Sequence, residues 1–482
     1  MIDVLLVRPG YFKKSEEYGQ NKLFEEYIYL ARKYLKNKIG FEGTEGLHIS
    51  VGLSYIAAKL EQMKIKTKIL DFYIMKYLQD EIKTIDDAIK ILKDFIRKES
   101  PKIIGIECMY SRTQNESLKM AQAVKEISDI PVIMGGSHAT FFDLHIVNNP
   151  YVDYVIRREA ELAFFELVKN ILQNKKVDKV KGITYKNKNG IRRNPEIERI
   201  SNLDSLPFPA RYLYDMNKLY ALNNKTDFVI SSRGCKYNCA FCTSKGFWQN
   251  QINFRSMGNV LSEISKMVEN YGTRHICFFD ENFGLRSDLR EISKRIAKEQ
   301  PNIDWAIETR LDLLNKLDLK TLGKSNCNLI YFGFESFCDT ALIKINKAFS
   351  SKMSLEKLKL AKDCGIKSVM GTFIVGLPGE TVKSFIKTVN ITEKLVKKGI
   401  IDICYFLPLM PFPGTDIFKN PQKFGINVLT KNFDRYYYIL DDPIALETED
   451  MKSYEIKKMM NYALERMIKV TKEKMVREGI EL

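Results

Sequence analysis

The chain has 482 residues, 45% of them hydrophobic, which suffices for two or three domains with real cores. No apolar run reaches the ~18 residues of a membrane span, so a soluble cytoplasmic protein is expected, with membrane contact at most peripheral. The net charge of +16 comes from lysines spread along the whole sequence rather than from one block; solvated faces explain it and nucleic acid is not expected.

The first third alternates short apolar strands with amphipathic helices. Strands are expected at "DVLLV" (3–7), "TKILDF" (67–72), "KIIGIE" (102–107), "PVIMGG" (131–136) and "DYVIRR" (153–158). Between them "VGLSYIAAKLEQM", "ESLKMAQAVKEI" and "EAELAFFELVKNIL" carry apolar residues at helical spacing. Such alternation is a doubly wound α/β sheet, which takes ligands beyond the carboxyl ends of its strands. After the first strand stands "VRPGYF" and no G-x-G-x-x-G, so a nicotinamide cofactor is disfavoured. Residues 10–47 form an aromatic and basic insertion between the first strand and its helix, which could cap a cavity. A hairpin with an Asn-Gly turn and a Pro-rich linker follow over 176–222.

"SSRGCKYNCAFCTSKGF" (231–247) places Cys235, Cys239 and Cys242 within eight positions. With nine cysteines in the chain, that spacing arises by chance roughly 0.003 times. A disulfide framework belongs to an oxidising compartment, and the four histidines show no zinc-finger pairing with these cysteines. Three thiolates holding an iron-sulfur cluster with one iron open is the reading preferred over structural zinc. The remaining cysteines, Cys277, Cys327, Cys338, Cys364 and Cys404 among them, stand singly and read as buried thiols.

From "DFVIS" (227–231) onward the alternation is regular, with strands at 275–280, 303–309, 329–335, 368–376 and 402–409. Six such units imply a (βα)6 partial barrel with functional side chains at the C-terminal strand ends. Polar residues stand at those ends: Asp280, Glu281 and Asn282, then Arg310, then Glu335 and Ser336. The last 64 or so residues, 419–482, read as a small helical region.

The Cys-x3-Cys-x2-Cys spacing with Phe241 before the last cysteine resembles the radical S-adenosylmethionine (SAM) enzymes. In that family three cysteines hold a 4Fe-4S cluster whose fourth iron is chelated by SAM. The resemblance implies SAM contacts from Phe241, Asp280, Glu281, Arg310, Glu335, Ser336 and from Gly376 of "GTFIVGLPGE", with Glu335 at the ribose and Arg310 and the acidic pair near the methionyl group. "GLSYIAAKL", "IGIECMYSRTQN", "PVIMGGSHATF" and "NPYVDYVIRREAELAFFEL" resemble, in that order, the cobalamin-binding domain of one radical SAM subfamily. That likeness implies a corrin site from Cys108, Met109, Tyr110, Ser111, Thr113, Gly135, Gly136, His138 and Glu159. His138 is a candidate cobalt ligand, with a contact at one remove favoured. Arg158 and Ala160 replace glycines of the subfamily's usual Arg-Gly-Glu-Gly-Glu.

The expected organisation is a Rossmann-like cobalamin-binding domain (1–175), hairpin and linker (176–222), radical SAM partial barrel (223–418) and helical C-terminal region (419–482). The resemblance implies a methyltransferase acting on an unactivated carbon through a 5'-deoxyadenosyl radical and methylcobalamin. A cobalamin-dependent radical cyclase or rearranging oxidoreductase, or a non-catalytic SAM- or redox-sensing iron-sulfur protein, are the alternatives. Expected partners are a small-molecule, peptide or lipid substrate and an electron donor such as flavodoxin or ferredoxin.

Overall fold

A computed structural model describes residues 2–12, 19–42, 47–438 and 440–482. Contacts divide it into two compact units: Met1–Lys13 with Leu47–Leu219, and Lys14–Gly46 with Tyr220–Leu482.

The first unit is built on a seven-stranded sheet. Strands β1 (Val4–Arg8), β2 (Thr67–Asp71), β3 (Ile103–Glu107), β4 (Val132–Gly135) and β5 (Tyr154–Ile156) run parallel in the order 2-1-3-4-5. Strands buried on both faces read as continuous apolar runs, and alternate residues feed opposite cores. Leu5 and Val7 join Ile104 and Ile106 in one core, while Val4 and Leu6 join Ile103 and Ile133 in the other. The hairpin β6 (Ile183–Asn187) and β7 (Gly190–Arg193) pairs antiparallel onto β5 and continues the sheet. The chain-order reversal between β1 and β3 is the switch point where such sheets bind ligands.

The absent glycine fingerprint has a structural counterpart. Helix Val51–Gln62 begins at Ser50, whose side chain accepts from Leu53 N. Ser50 N donates to Asp71 Oδ2 at 3.3 Å and Ser50 Oγ to Glu107 Oε1 at 2.6 Å. The helix N-terminus is thus occupied by the protein's own carboxylates, where a dinucleotide phosphate would bind in a fingerprint protein. Buried Arg8 neutralises them, 3.3 Å from Asp71 and 3.4 Å from Glu107.

The second unit carries six parallel strands in chain order: β8 (Thr226–Val229), β11 (His275–Phe278), β12 (Asp304–Thr309), β13 (Cys327–Glu335), β14 (Ser368–Val375) and β15 (Ile403–Pro408). Between β8 and β11 lies a short ribbon, β9 (Ser232–Arg233) with β10 (Asn253–Phe254). Helices between the strands are well capped: Ser256 starts Met257–Tyr271, Gly272 ends it in the left-handed conformation, and Thr381 with Ser384 forms a capping box for Val382–Lys397.

β15 is an edge strand, and an edge left bare is a liability. Insertion helix Lys22–Ile39 covers it: the Tyr27 hydroxyl donates to Cys404 O at 2.7 Å and accepts from Cys404 N at 3.2 Å. The end of that insertion reaches the far side of the sheet, where Phe41 stacks on His275 at 4.8 Å and Asn224 Nδ2 donates to Gly40 O. Just before β15, fully buried Asp402 gathers Lys38, Lys362 and Lys474 at 2.5, 2.6 and 2.9 Å. In the C-terminal region the long helix is Ser453–Arg477, with single helical turns at Pro421–Phe424 and Phe433–Arg435. Before it, β16 (Ile426–Val428) and β17 (Leu446–Thr448) form an antiparallel pair; three-residue strands are too short to show an alternating pattern. Among the described residues no helix is long and apolar enough to cross a membrane.

Candidate functional site

The loop after β8 carries the three cysteines, and the surrounding polar residues shape it. Ribbon β9–β10 closes its base. Gly234 sits at φ +102° with Gln251 O only 2.0 Å from where a Cβ would be, so this turn requires glycine. Buried Asp280 accepts from Ser231 N at 2.7 Å, Ser231 Oγ at 2.5 Å and Ser232 Oγ at 2.7 Å. Burial raises its carboxyl pKa, and these hydrogen bonds oppose the rise. Glu281 accepts from Gly234 N at 2.9 Å through Oε2 and from the Trp248 indole through Oε1. Arg255 and Arg286 donate to Ile230 O and Ser231 O at 2.9 and 3.0 Å. Asp280 and Glu281, expected beside the methionyl group of SAM, therefore fasten both ends of the cysteine loop.

Cys235, Cys239 and Cys242 are unpaired thiols, each half-buried. Cys242 N donates to Cys239 O at 3.1 Å, and Ser244 N donates to Cys242 Sγ at 3.4 Å. Backbone donors to sulfur are a feature of iron-sulfur sites, where they tune potential. Burial pushes the Cys242 thiol up to about 12. Cys239 is raised by burial and pulled back by Lys347 and Arg310. Among the described residues no three His, Cys, Asp or Glu side chains form a single-ion centre. The fit to a 4Fe-4S cluster rests on three thiols in one fastened loop, with donors and cations aimed at sulfur.

Arg310 places Nη1 3.6 Å from Cys239 Sγ and its guanidinium 3.8 Å over the Tyr237 ring. Its Nε and Nη2 both donate to Asp312 at 3.0 Å, so it serves the cysteine loop with its remaining edge. Glu335, at φ +62°, pairs with Lys347 at 2.8 Å. Ser336 is fully buried and donates to Glu380 Oε1 at 2.6 Å. Gly376, at φ +83°, has Ile456 of the C-terminal helix 2.7 Å from a Cβ position, so packing there requires glycine. Phe241 is half-buried beside Cys242. Asn282 accepts from Thr309 Oγ1 at 2.9 Å, and among the described residues its buried Nδ2 has no partner.

In the first unit the expected corrin residues separate into two groups. Met109 and Tyr110 are exposed beyond β3 at the switch point. Cys108 points instead into the core and is fully buried. Ser111 Oγ is bonded to His138 Nδ1 at 2.9 Å, and His138 Nε2 to Gln114 Oε1 at 2.7 Å. With both nitrogens held, 2% exposure, and burial pushing it down to about 3, His138 offers no free nitrogen to cobalt. Thr113 bonds back to Tyr110 O. Gly136, at φ +120°, lies with Cys108 O 2.7 Å from a Cβ position, so it admits the neighbouring loop rather than a corrin. Gly135 has φ outside the left-handed region and only ordinary contacts. Buried Glu159 accepts from Ile200 N at 3.1 Å and pairs with Arg199 at 3.5 Å, holding the segment after the hairpin.

Several site residues carried no motif. Lys347 and Asp312 are recognisable only once the strands bring them to the cysteine loop, and Tyr237 and Trp248, though in or beside it, show their roles only in their contacts with Arg310 and Glu281. Around Tyr110, the ring of Tyr11 packs at 5.8 Å against it and at 5.0 Å against Tyr73, with Arg112 4.0 Å over Tyr11. The aromatic crowding of "VRPGYF" and "DFYIMKY" was the available signal.

Comparison with known families places these two units. Residues 229–392 match the radical SAM superfamily and residues 38–168 the B12 binding domain. A relative named as an uncharacterized methyltransferase from Pyrococcus horikoshii is 32% identical over 397 residues, 82% of each chain. Cytidylyl-2-hydroxyethylphosphonate methyltransferase of Streptomyces wedmorensis is 26% identical over 423 residues, 77% of each chain. Among solved structures, the radical SAM methyltransferase TsrM from Kitasatospora setae, with tryptophan and a SAM analogue bound, superposes with a TM-score of 0.67 at 17% identity. That match covers 89% of this chain and 79% of TsrM, and shows the shared fold. With its three-thiol loop, its switch-point sheet and these matches, the chain belongs to the family of radical SAM enzymes that carry a B12 binding domain.

Proposed function

We propose that this enzyme transfers a methyl group to an unactivated carbon of a small molecule. The carrying observation is that one chain joins the fastened three-thiol loop to a B12 binding domain, a combination it shares with relatives named methyltransferases. When bound, the cluster and cobalamin supply one-electron cleavage of SAM and a transferable methyl group.

The protein's own part is positional. Cys235, Cys239 and Cys242 hold the cluster as thiolates. Asp280, Glu281, Arg255 and Arg286 fix the loop before any cofactor arrives, which spares reorganisation later. Arg310 and Lys347 place positive charge beside Cys239, favouring its thiolate form. Glu335 faces the SAM ribose, and Asn282 offers its spare Nδ2 to the same cofactor. Met109 and Tyr110 would present the corrin-facing surface, while His138, with both ring nitrogens engaged and neutral, would not itself hold the cobalt. The electron donor is a small redox protein of the flavodoxin or ferredoxin class.

Anaerobic reconstitution with iron, sulfide and cobalamin tests the reading. Iron-sulfur and corrinoid absorption in one chain are expected. With reductant, SAM and substrate, equal amounts of 5'-deoxyadenosine and S-adenosylhomocysteine should form while the substrate gains one methyl mass. Deoxyadenosine without S-adenosylhomocysteine would mark a cyclase or rearranging enzyme; neither product would mark a binding protein.

A further inference from the structure

We propose that Lys347 is a positioning residue that sets the Glu335 carboxylate for SAM. The inference rests on the reading of Glu335 as the SAM-facing carboxylate. Four features of the fold converge on this pair. Lys347 Nζ lies 2.8 Å from Glu335 Oε1, with the two side chains only 5% and 7% exposed. The same ammonium donates to Gly333 O at 3.1 Å, so it grips both the carboxylate and the strand that carries it. Glu335 occupies the left-handed region at φ +62°, where the β13–β14 register slips between Gly333 and Glu335. Backbone of this kind costs free energy in a non-glycine residue and persists where the surroundings enforce it. Gly333 supplies the room: a Cβ there would stand 2.5 Å from Glu335 Oε1 and 3.3 Å from Lys347 Nζ.

Charge gives the arrangement a purpose beyond packing. A buried ion pair is weak evidence of stabilisation, since apolar replacements are commonly neutral or better. Here the pair stands near a second one, Arg310 with Asp312 at 3.0 Å. Phe349 lies 5.3 Å from each cation. Without Lys347, Glu335 would be a buried carboxylate stripped of its cation, free to turn from the direction the strand imposes. Nothing in the pattern "KINKAFS" marks this lysine, which reaches Glu335 from 12 residues further along the chain.

The full-length chain, anaerobically reconstituted and kept oxidised so that no turnover occurs, is titrated with labelled SAM by equilibrium dialysis. Lys347→Met should retain wild-type iron and sulfide content yet bind SAM about 10- to 100-fold more weakly, as loss of such supporting partners commonly does. Lys347→Arg should recover most of that loss, and Lys347→Met combined with Glu335→Gln should be no weaker than either alone, as expected of residues acting as one unit. Wild-type affinity in Lys347→Met, or additive losses in the double variant, would overturn the proposal. Reduced iron content with unchanged affinity per cluster would overturn it too, assigning Lys347 to loop stability. If the wild-type chain itself takes up no cluster or binds no SAM, the proposed function fails instead.

Discussion

Glu380 is a carboxyl with no exposure at all, and burial pushes it up from 4.5 to about 8, against the opposing hydrogen bond from Ser336. The folded protein therefore keeps a proton that the unfolded chain gives up near pH 4.5. By linkage, the stabilisation is complete below that pH and is lost as pH rises through about 8. Glu380→Gln cannot titrate, so its stability should stay level while the wild type loses about 2–4 kcal/mol between pH 5 and 9. Denaturant midpoints across that range measure it. At this scale the sequence was legible for the cysteines, whose spacing alone excludes chance. It was not legible for their neighbours: a carboxylate at a strand end reads the same whether it meets a ligand or backbone amides. Asp280 and Glu281 turned to amides of a loop almost 50 positions earlier, a partner that no local pattern announces. For His138 the sequence favoured a contact at one remove over ligation, but could not name Ser111 and Gln114, which engage both ring nitrogens.

Strands and helices were easier to read, because each parallel strand is apolar on both faces and each intervening helix carries its own caps. β2, β12, β13 and β14 stand where the apolar runs put them, within two residues. What escaped was the protection of the last edge. Asp402 binds three ammonium groups from three separate segments, and despite burial those lysines hold its carboxyl well below the usual carboxylate range. Lys474 in the C-terminal helix is itself almost fully buried. Asp402→Asn would keep the shape but strand that cation and its neighbours, so a loss of about 3–5 kcal/mol is expected in chemical denaturation. A change within ~0.5 kcal/mol would mean that the lysines reach water unaided.

On the scale of the whole molecule, the sequence order and the contact order of the parts differ. Residues 10–47 were legible as an insertion between a strand and its helix. Their tie to the second unit was not, since Tyr27 and Cys404 are 377 positions apart. Replacing Lys22–Ile39 by a Gly/Ser segment of equal length should expose the Cys404 amide and its β15 neighbours to hydrogen exchange. Amides of β1 and β3 in the first unit should keep their protection. Uniform loss of protection throughout the chain would show that the two units unfold together.

The Tyr27 clasp also sets a timetable. A ribosome adding roughly 5–20 residues each second needs on the order of 20–75 s to travel from Tyr27 to its acceptor strand. Through that interval the face bearing Phe24, Leu30, Tyr34 and Leu35, all buried in the finished protein, has no β15 to cover. An isolated stretch of 18 residues is only marginally helical in water, so the nascent segment would wait as a sticky coil. Made long before β15, it can be seated only once that strand is out, and that is the interval in which a holdase chaperone would matter most.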